Sequence, residues 1–239
     1  MVGGCRLAAM LLLLAATALA DTQTLEYGIT AAGLPVGTRS LKITYLPGPQ
    51  GEQRLLECYT EIPIAGFSQR VSGLSSDSLP PGFSANNAQS GESWEVQAVR
   101  NSGGLQVHFV DGRGTQSSQL DFHQVNTTSL ALMDPQRALG QASQLDLLSA
   151  ETGEILSGPL VLVGGEQVLV GGQSLAAEHY LWTPETGPVH LFYGQQGVLL
   201  KTQTRVAGQA VELTLTEPPQ TRTLELNLDL GPAVQEESL

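Results

Sequence analysis

The chain has 239 residues, with 11 basic against 23 acidic side chains and a formal net charge of −12. The basic residues stand singly, without a basic patch or interleaved aromatics, which argues against a nucleic-acid partner or an anionic membrane surface. Only 14% of residues are charged, and Thr, Ser, Gln and Gly are abundant, a composition that suits an exported β-protein.

The first twenty residues read as a signal peptide. Arg6 supplies the positive start, Leu7–Leu19 an uncharged apolar run, and Ala18-Leu19-Ala20 the small residues of a cleavage site, so the cut is expected between Ala20 and Asp21. The apolar run is too short to span a membrane, and no later run approaches that length. No cysteine follows the apolar run directly, which argues against lipidation. Cleavage leaves Cys58 alone, so no internal disulfide is expected, and its acidic neighbours Glu57 and Glu61 favour a buried, unreactive thiol.

The segments that follow alternate with period two. Leu25, Tyr27 and Ile29 share one face, and Leu41, Ile43 and Tyr45 share another after the Ala31–Pro35 turn. A second turn at Pro47–Gly51 leads to strands over Arg54–Ile64 and Gly66–Leu74. Ser72–Gly91 reads as a loop with one short strand around Gly82–Asn86. Ser93–Arg100 and Leu105–Val110 form a hairpin, and Thr115–Gln124 follows the Asp111–Gly114 turn. Asn126–Gly140 breaks the pattern and reads as helical turns, with Asp134 capping, Pro135 in the first turn and Gly140 as the stop. Asn126-Thr127-Thr128 is also a glycosylation sequon, relevant only in a host that modifies asparagine. Leu145–Leu148 is a further strand.

Leu160–Thr216 is the most strongly patterned stretch: apolar runs broken by Gly-Gly, Pro-Glu-Thr-Gly-Pro, Gly-Gln-Gln-Gly and Ala-Gly-Gln, as in consecutive hairpins. Leu224, Leu226, Leu228 and Leu230 alternate as a last strand, and residues 232–239 read as a disordered tail.

Chemical motifs are absent. There is no Gly-x-Ser-x-Gly, no phosphate-binding loop, no His-Glu-x-x-His and no Cys-x-x-Cys. His179 and His190 fall on adjacent predicted strands near enough to share a metal, but no third ligand accompanies them, so no metal and no cofactor is expected. His108 and His123, and the carboxylates Glu57, Glu61 and Glu95, read as ordinary strand or surface residues. Tyr180, Trp182, Phe192 and Tyr193 cluster on one predicted hairpin. They are the candidate ligand-binding residues, as the lining of a cavity in a curved sheet, or else part of the core.

Two stretches carry a resemblance. Leu25-Glu26-Tyr27-Gly28-Ile29 with Ala32–Thr38, and Val163–Val168 through Tyr180 with Leu191-Phe192-Tyr193 to Lys201, resemble exported bacterial proteins of unknown function. Those have a Tyr strand, a Gly-x-Pro-Val-Gly turn and a late Trp/Phe-Tyr…Gly-x-Leu-x-Lys strand pair. Gly194 stands where their pattern often has an acidic residue. The resemblance implies an exported antiparallel β-protein and supplies no catalytic residue. A more distant analogy, of architecture alone, is to the open-barrel lipid carriers of the bacterial envelope.

The expected fold is mainly β: an antiparallel, strongly curved sheet or open barrel with a short helical segment near the middle, as one domain over residues 21–231. Closed barrels and sandwiches are the alternatives. The expected function is non-enzymatic: a periplasmic or secreted envelope protein that binds a lipid or other hydrophobic or amphipathic ligand on the concave face. A structural module pairing with another envelope protein is the second reading, and an enzyme of unknown class the third.

Overall fold

The structure is a computed structural model and describes residues 21–48, 51–75, 82–135, 139 and 142–220. The expected signal segment, the strand expected at Leu224–Leu230 and the tail expected at 232–239 lie outside the described residues.

Among the described residues, fifteen strands form one sheet. The first eight are β1 (Asp21–Ala31), β2 (Leu34–Gly48), β3 (Gly51–Ile62), β4 (Phe67–Ser75), β5 (Phe83–Gln89), β6 (Glu92–Asn101), β7 (Gly104–Asp111) and β8 (Gly114–Asp121). Then come β9 (Thr127–Thr128), β10 (Gln144–Leu148), β11 (Ile155–Val170), β12 (Gln173–Trp182), β13 (Val189–Tyr193), β14 (Leu199–Val206) and β15 (Gln209–Leu215). The first eight meander outward from β1 to one edge at β8. The chain then crosses to the other edge at β9 and meanders back, so that β15 pairs with β1 in the middle of the sheet. Every pair is antiparallel except β9 with β10.

This connectivity forces the curvature. At about 4.8 Å per strand, a flat sheet of fifteen would be roughly 70 Å wide. Residues 122–126 join its two edges and reach only about 20 Å fully extended. The sheet must therefore roll until β8 and β9 approach one another, giving the open barrel read from the sequence. Contacts across the roll agree: a Cβ placed on Gly153, in the β10–β11 turn, would lie 3.4 Å from Val96 and 3.6 Å from Val107, on β6 and β7.

The inward faces are those the alternation picked out. Leu25, Tyr27, Ile29, Leu41, Ile43, Tyr45, Leu213 and Leu215 are all buried. Cys58 is buried with them, and burial pushes its thiol up. One expectation needs correction. Ser72–Gly91 is less of a loop than its polar composition suggests. Phe83–Gln89 is a full strand, and its polar Asn87 faces inward, taking a hydrogen bond from Gln69 and giving one to Ala150 O. The helical segment expected near the middle contains a 3-10 turn at Ala131–Met133, ahead of Pro135, with Asp134 closing it; the expected continuation to Gly140 lies mostly outside the described residues. Thr128 Oγ1 accepts the Ala131 N–H at 3.1 Å and so starts the turn early.

The barrel is filled by its own chain. Val125, Leu130, Ala131, Met133, Leu145, Leu147, Leu148 and Ala150 are buried within the roll. The carbonyls there that are left over from the strand ladder must find donors. Wall side chains supply them: Trp182 Nε1 donates to Leu145 O at 3.2 Å, the Tyr193 hydroxyl to Leu132 O at 2.8 Å, and Trp94 Nε1 to Glu151 O at 2.6 Å.

Candidate functional site

The β11–β12 hairpin builds both faces of the region of interest. Near Trp182 it is an ordinary part of the barrel wall. At Leu162–Gly164 the register slips by one residue, and Gly164 takes a φ of 149°. Such a bulge bends the strand and increases its twist. Beyond it the hairpin arm leans over the ends of its neighbours. Its tip at Gly171 lies against Thr216 O and Pro218, and β11 touches β14 although two strands separate them in the sheet. Accordingly Val168, Val170, Ala177 and His179 are buried, although they share the face opposite Tyr180 and Trp182.

On the inward side the arm borders a groove of about 410 Å³ at the barrel rim. Ala176, Tyr180, Tyr193 and Leu139 line it, with Glu178 and the Gly194–Gly197 loop at the border. Tyr180 and Tyr193 meet edge to face, with ring centroids 6.1 Å apart. The Tyr180 hydroxyl donates to Glu178 Oε2 at 2.9 Å; burial first, and this carboxylate second, raise its pKa. The loop is shaped by close approach: Gly197 has a φ of 72°, and a Cβ there would run into Pro135 O. A Cβ on Gly194 would press on Leu200 at 2.9 Å, which accounts for glycine at the position where the resembling proteins often carry an acid.

The four aromatic residues therefore divide. Tyr180 and Tyr193 come together at the groove. Trp182 is buried deeper, against the filling segment, with its N–H spent on Leu145 O. Phe192 points to the other side of the sheet and stacks on the His179 ring at 4.4 Å and 16°. Neighbours on one strand point to opposite faces, so Phe192 cannot share a surface with Tyr193.

The outward side carries a polar chain. His179 Nδ1 lies 2.7 Å from Glu166 Oε1, and His179 Nε2 lies 2.8 Å from His190 Nδ1. Beside it, Glu212 accepts from Gln203 and pairs with Lys201 at 3.0 Å. His108 bonds Ser117 on the far wall, 2.8 Å away. Among the described residues, no group of three His, Cys, Asp or Glu side chains is disposed to hold a metal ion. The sequence paired the two histidines but missed Glu166, Leu139 and the Gly194–Gly197 loop. The Gly164-Gly165 pair was a usable signal for Glu166: a bulge there puts Glu166 on the His179 face.

No family model matches the chain, and no curated protein matches its sequence. Its fold is similar to that of a beta-barrel-like protein of domain of unknown function DUF1849 from Brucella abortus. The match has a TM-score of 0.50 and covers 82% of this chain and 96% of that one, at 8% identity. A DUF1329 family protein from Desulfovibrio piger ATCC 29098 aligns over 81% of this chain and 82% of its own, at 11% identity, with a TM-score of 0.19 that bears on nothing further. The first likeness is one of fold. It agrees with the resemblance to bacterial proteins of unknown function and with a β-barrel-like architecture.

Proposed function

We propose that this is an exported, non-enzymatic envelope protein that holds the apolar part of an amphipathic molecule in the rim groove between Tyr180, Tyr193, Ala176 and Leu139. The centre of the concave face is taken by Val125, Leu130, Met133, Leu145, Leu147 and Leu148, so the seat for a ligand moves from the middle of the barrel to its rim. The observation that carries the reading is the groove itself. Its 410 Å³ is within the size range of small-molecule sites, and its lining joins apolar and aromatic walls to a few polar groups. Export rests on the N-terminal segment read from the sequence. Native mass spectrometry of protein purified from its host, with and without added long-chain lysolipid, tests the proposal. The wild type should carry or take up one amphipathic molecule, and Ala176→Trp, which fills the groove, should not. A clean apo mass under both conditions would sink it.

A second reading, pairing with another envelope protein, is favoured by one observation. From Val161 to Val170, β11 pairs only with β12 among the described residues, and Val161, Leu162, Val163 and Leu169 are exposed along it. Unpaired apolar edges invite strand addition. Val163→Lys should abolish such a complex in cross-linking of intact cells while leaving groove binding unchanged.

A further inference from the structure

The chain Glu166–His179–His190 lies on the opposite face from the groove and plays no part in that reading. We infer that it is a two-histidine seat for a divalent transition-metal ion. His179 Nε2 and His190 Nδ1 are the protein ligands, and Glu166 is the carboxylate that orients the first of them.

The geometry sets the roles. A ligating histidine almost always gives its other ring N–H to a carboxylate or carbonyl, which fixes tautomer and ring direction. His179 does so: its Nδ1 donates to Glu166 Oε1 at 2.7 Å, leaving the Nε2 lone pair aimed at His190 Nδ1, 2.8 Å away. Phe192, stacked on the ring, holds His179 in that pose, and the residue is 7% exposed. His190 is half-buried at the end of a five-residue strand and can yield. With metal–nitrogen bonds of about 2.0–2.1 Å in a tetrahedral site, the two nitrogens need to stand only ~3.3 Å apart. The present gap must widen by about half an ångström, and the His190 ring must turn so that both lone pairs converge on an ion beside the N–N line.

The proton count closes. The neutral pair holds two ring protons, one on His179 Nδ1 facing Glu166 and one on His190 Nδ1 in the gap. Binding the ion shifts the second to His190 Nε2 through solvent, and no net proton leaves. The nearby Glu212 is engaged by Lys201 and Gln203, so water completes the coordination. Imidazole ligands select zinc, nickel and copper over magnesium and calcium.

The test is titration of the purified protein with zinc, nickel and magnesium chlorides, by calorimetry and by NMR of the histidine ring nitrogens. One equivalent of zinc or nickel should bind and shift His179 Nε2 and His190 Nδ1, while magnesium should do neither. His190→Ala should weaken binding at least tenfold, and Glu166→Gln about tenfold, whereas His108→Ala should leave it unchanged. His190 is partly exposed, so its removal spares the buried ring stack, and a thermal melt checks that the variant is folded. No binding up to ~1 mM zinc, or undiminished binding in folded His190→Ala, would overturn the assignment.

Discussion

Arg54 on β3 and Asp134 at the end of the internal 3-10 turn form a salt bridge of 3.0 Å whose side chains are 1% and 0% exposed. The Ser75 hydroxyl donates to the same carboxylate. The pair joins the barrel wall to the segment that fills it. Removing one member of a buried pair strands the other's charge, at about 3–5 kcal/mol. Asp134→Ala should therefore lower stability by that order in urea unfolding. Replacing both, as Arg54→Met with Asp134→Leu, should recover much of the loss, because apolar groups of similar volume leave no charge to solvate. A single substitution costing less than ~1 kcal/mol would mean that the filling segment is held by packing alone.

Trp182 and Tyr193 were candidates for ligand contact, and both donate to backbone carbonyls of the internal segment. Trp182→Phe and Tyr193→Phe keep most of the ring volume and delete the donor. Each leaves a buried carbonyl without that partner, for a cost of about 1–3 kcal/mol. Phe192→Leu, on the other face, removes no hydrogen bond. Denaturant midpoints should fall for the first two and shift less for the third, and a ranking that puts Phe192→Leu first would contradict the division of the hairpin faces.

Alkaline pH should unfold the protein through its buried phenols. Burial raises the hydroxyls of Tyr27 and Tyr193 well above the ordinary tyrosine range, with Cys58 and Tyr180 adding to the effect at Tyr27 and Tyr193. A phenol whose folded pKa is raised contributes full stability below its unfolded pKa of about 10 and loses it as pH climbs above that value. Tyrosinate absorbance measured from pH 9 to 12 should show the Tyr27 and Tyr193 phenols titrating only together with the loss of strand signal. Replacing Tyr27 with Phe should remove one of the two.

The strands were legible because their physics is local. Leu25, Tyr27 and Ile29, or Leu41, Ile43 and Tyr45, declare a buried face by spacing alone, and the glycine-marked turns divide the hairpins. The rolled, open form followed from the same pattern. What the sequence hid depends on partners distant along the chain. Asn87 and Gln69 are polar yet inward-facing, because they bond one another and Ala150 O. Asp134 looked like a helix cap beside Pro135, and nothing local said that Arg54, eighty residues earlier, would claim it. The filling of the barrel depends on the crossing from β8 to β9, a topological step with no signal in residues 122–126. At the site, the His179–His190 proximity was readable from strand pairing, but Glu166 required counting a bulge.

Glu212 gives the acid-side prediction. Burial pushes its carboxyl up, but hydrogen bonds from Lys201 and Gln203 together with the Lys201 charge outweigh it, and the group sits below the usual carboxylate range. A depressed folded pKa contributes stability that is present above the unfolded pKa, about 4.3 for glutamate, and is lost as pH falls through the folded value. Its side chain is 36% exposed and that of Lys201 22%, so solvent screening limits the pair to below ~1 kcal/mol. Thermal unfolding of wild type and Glu212→Gln should differ by a small, constant amount from pH 5 to 7, and the two curves should converge as pH falls below the ordinary carboxylate range. Added salt should shrink the neutral-pH difference. A gap that widens in acid would show that the carboxylate is destabilising where it stands, contrary to its bonds with Lys201 and Gln203.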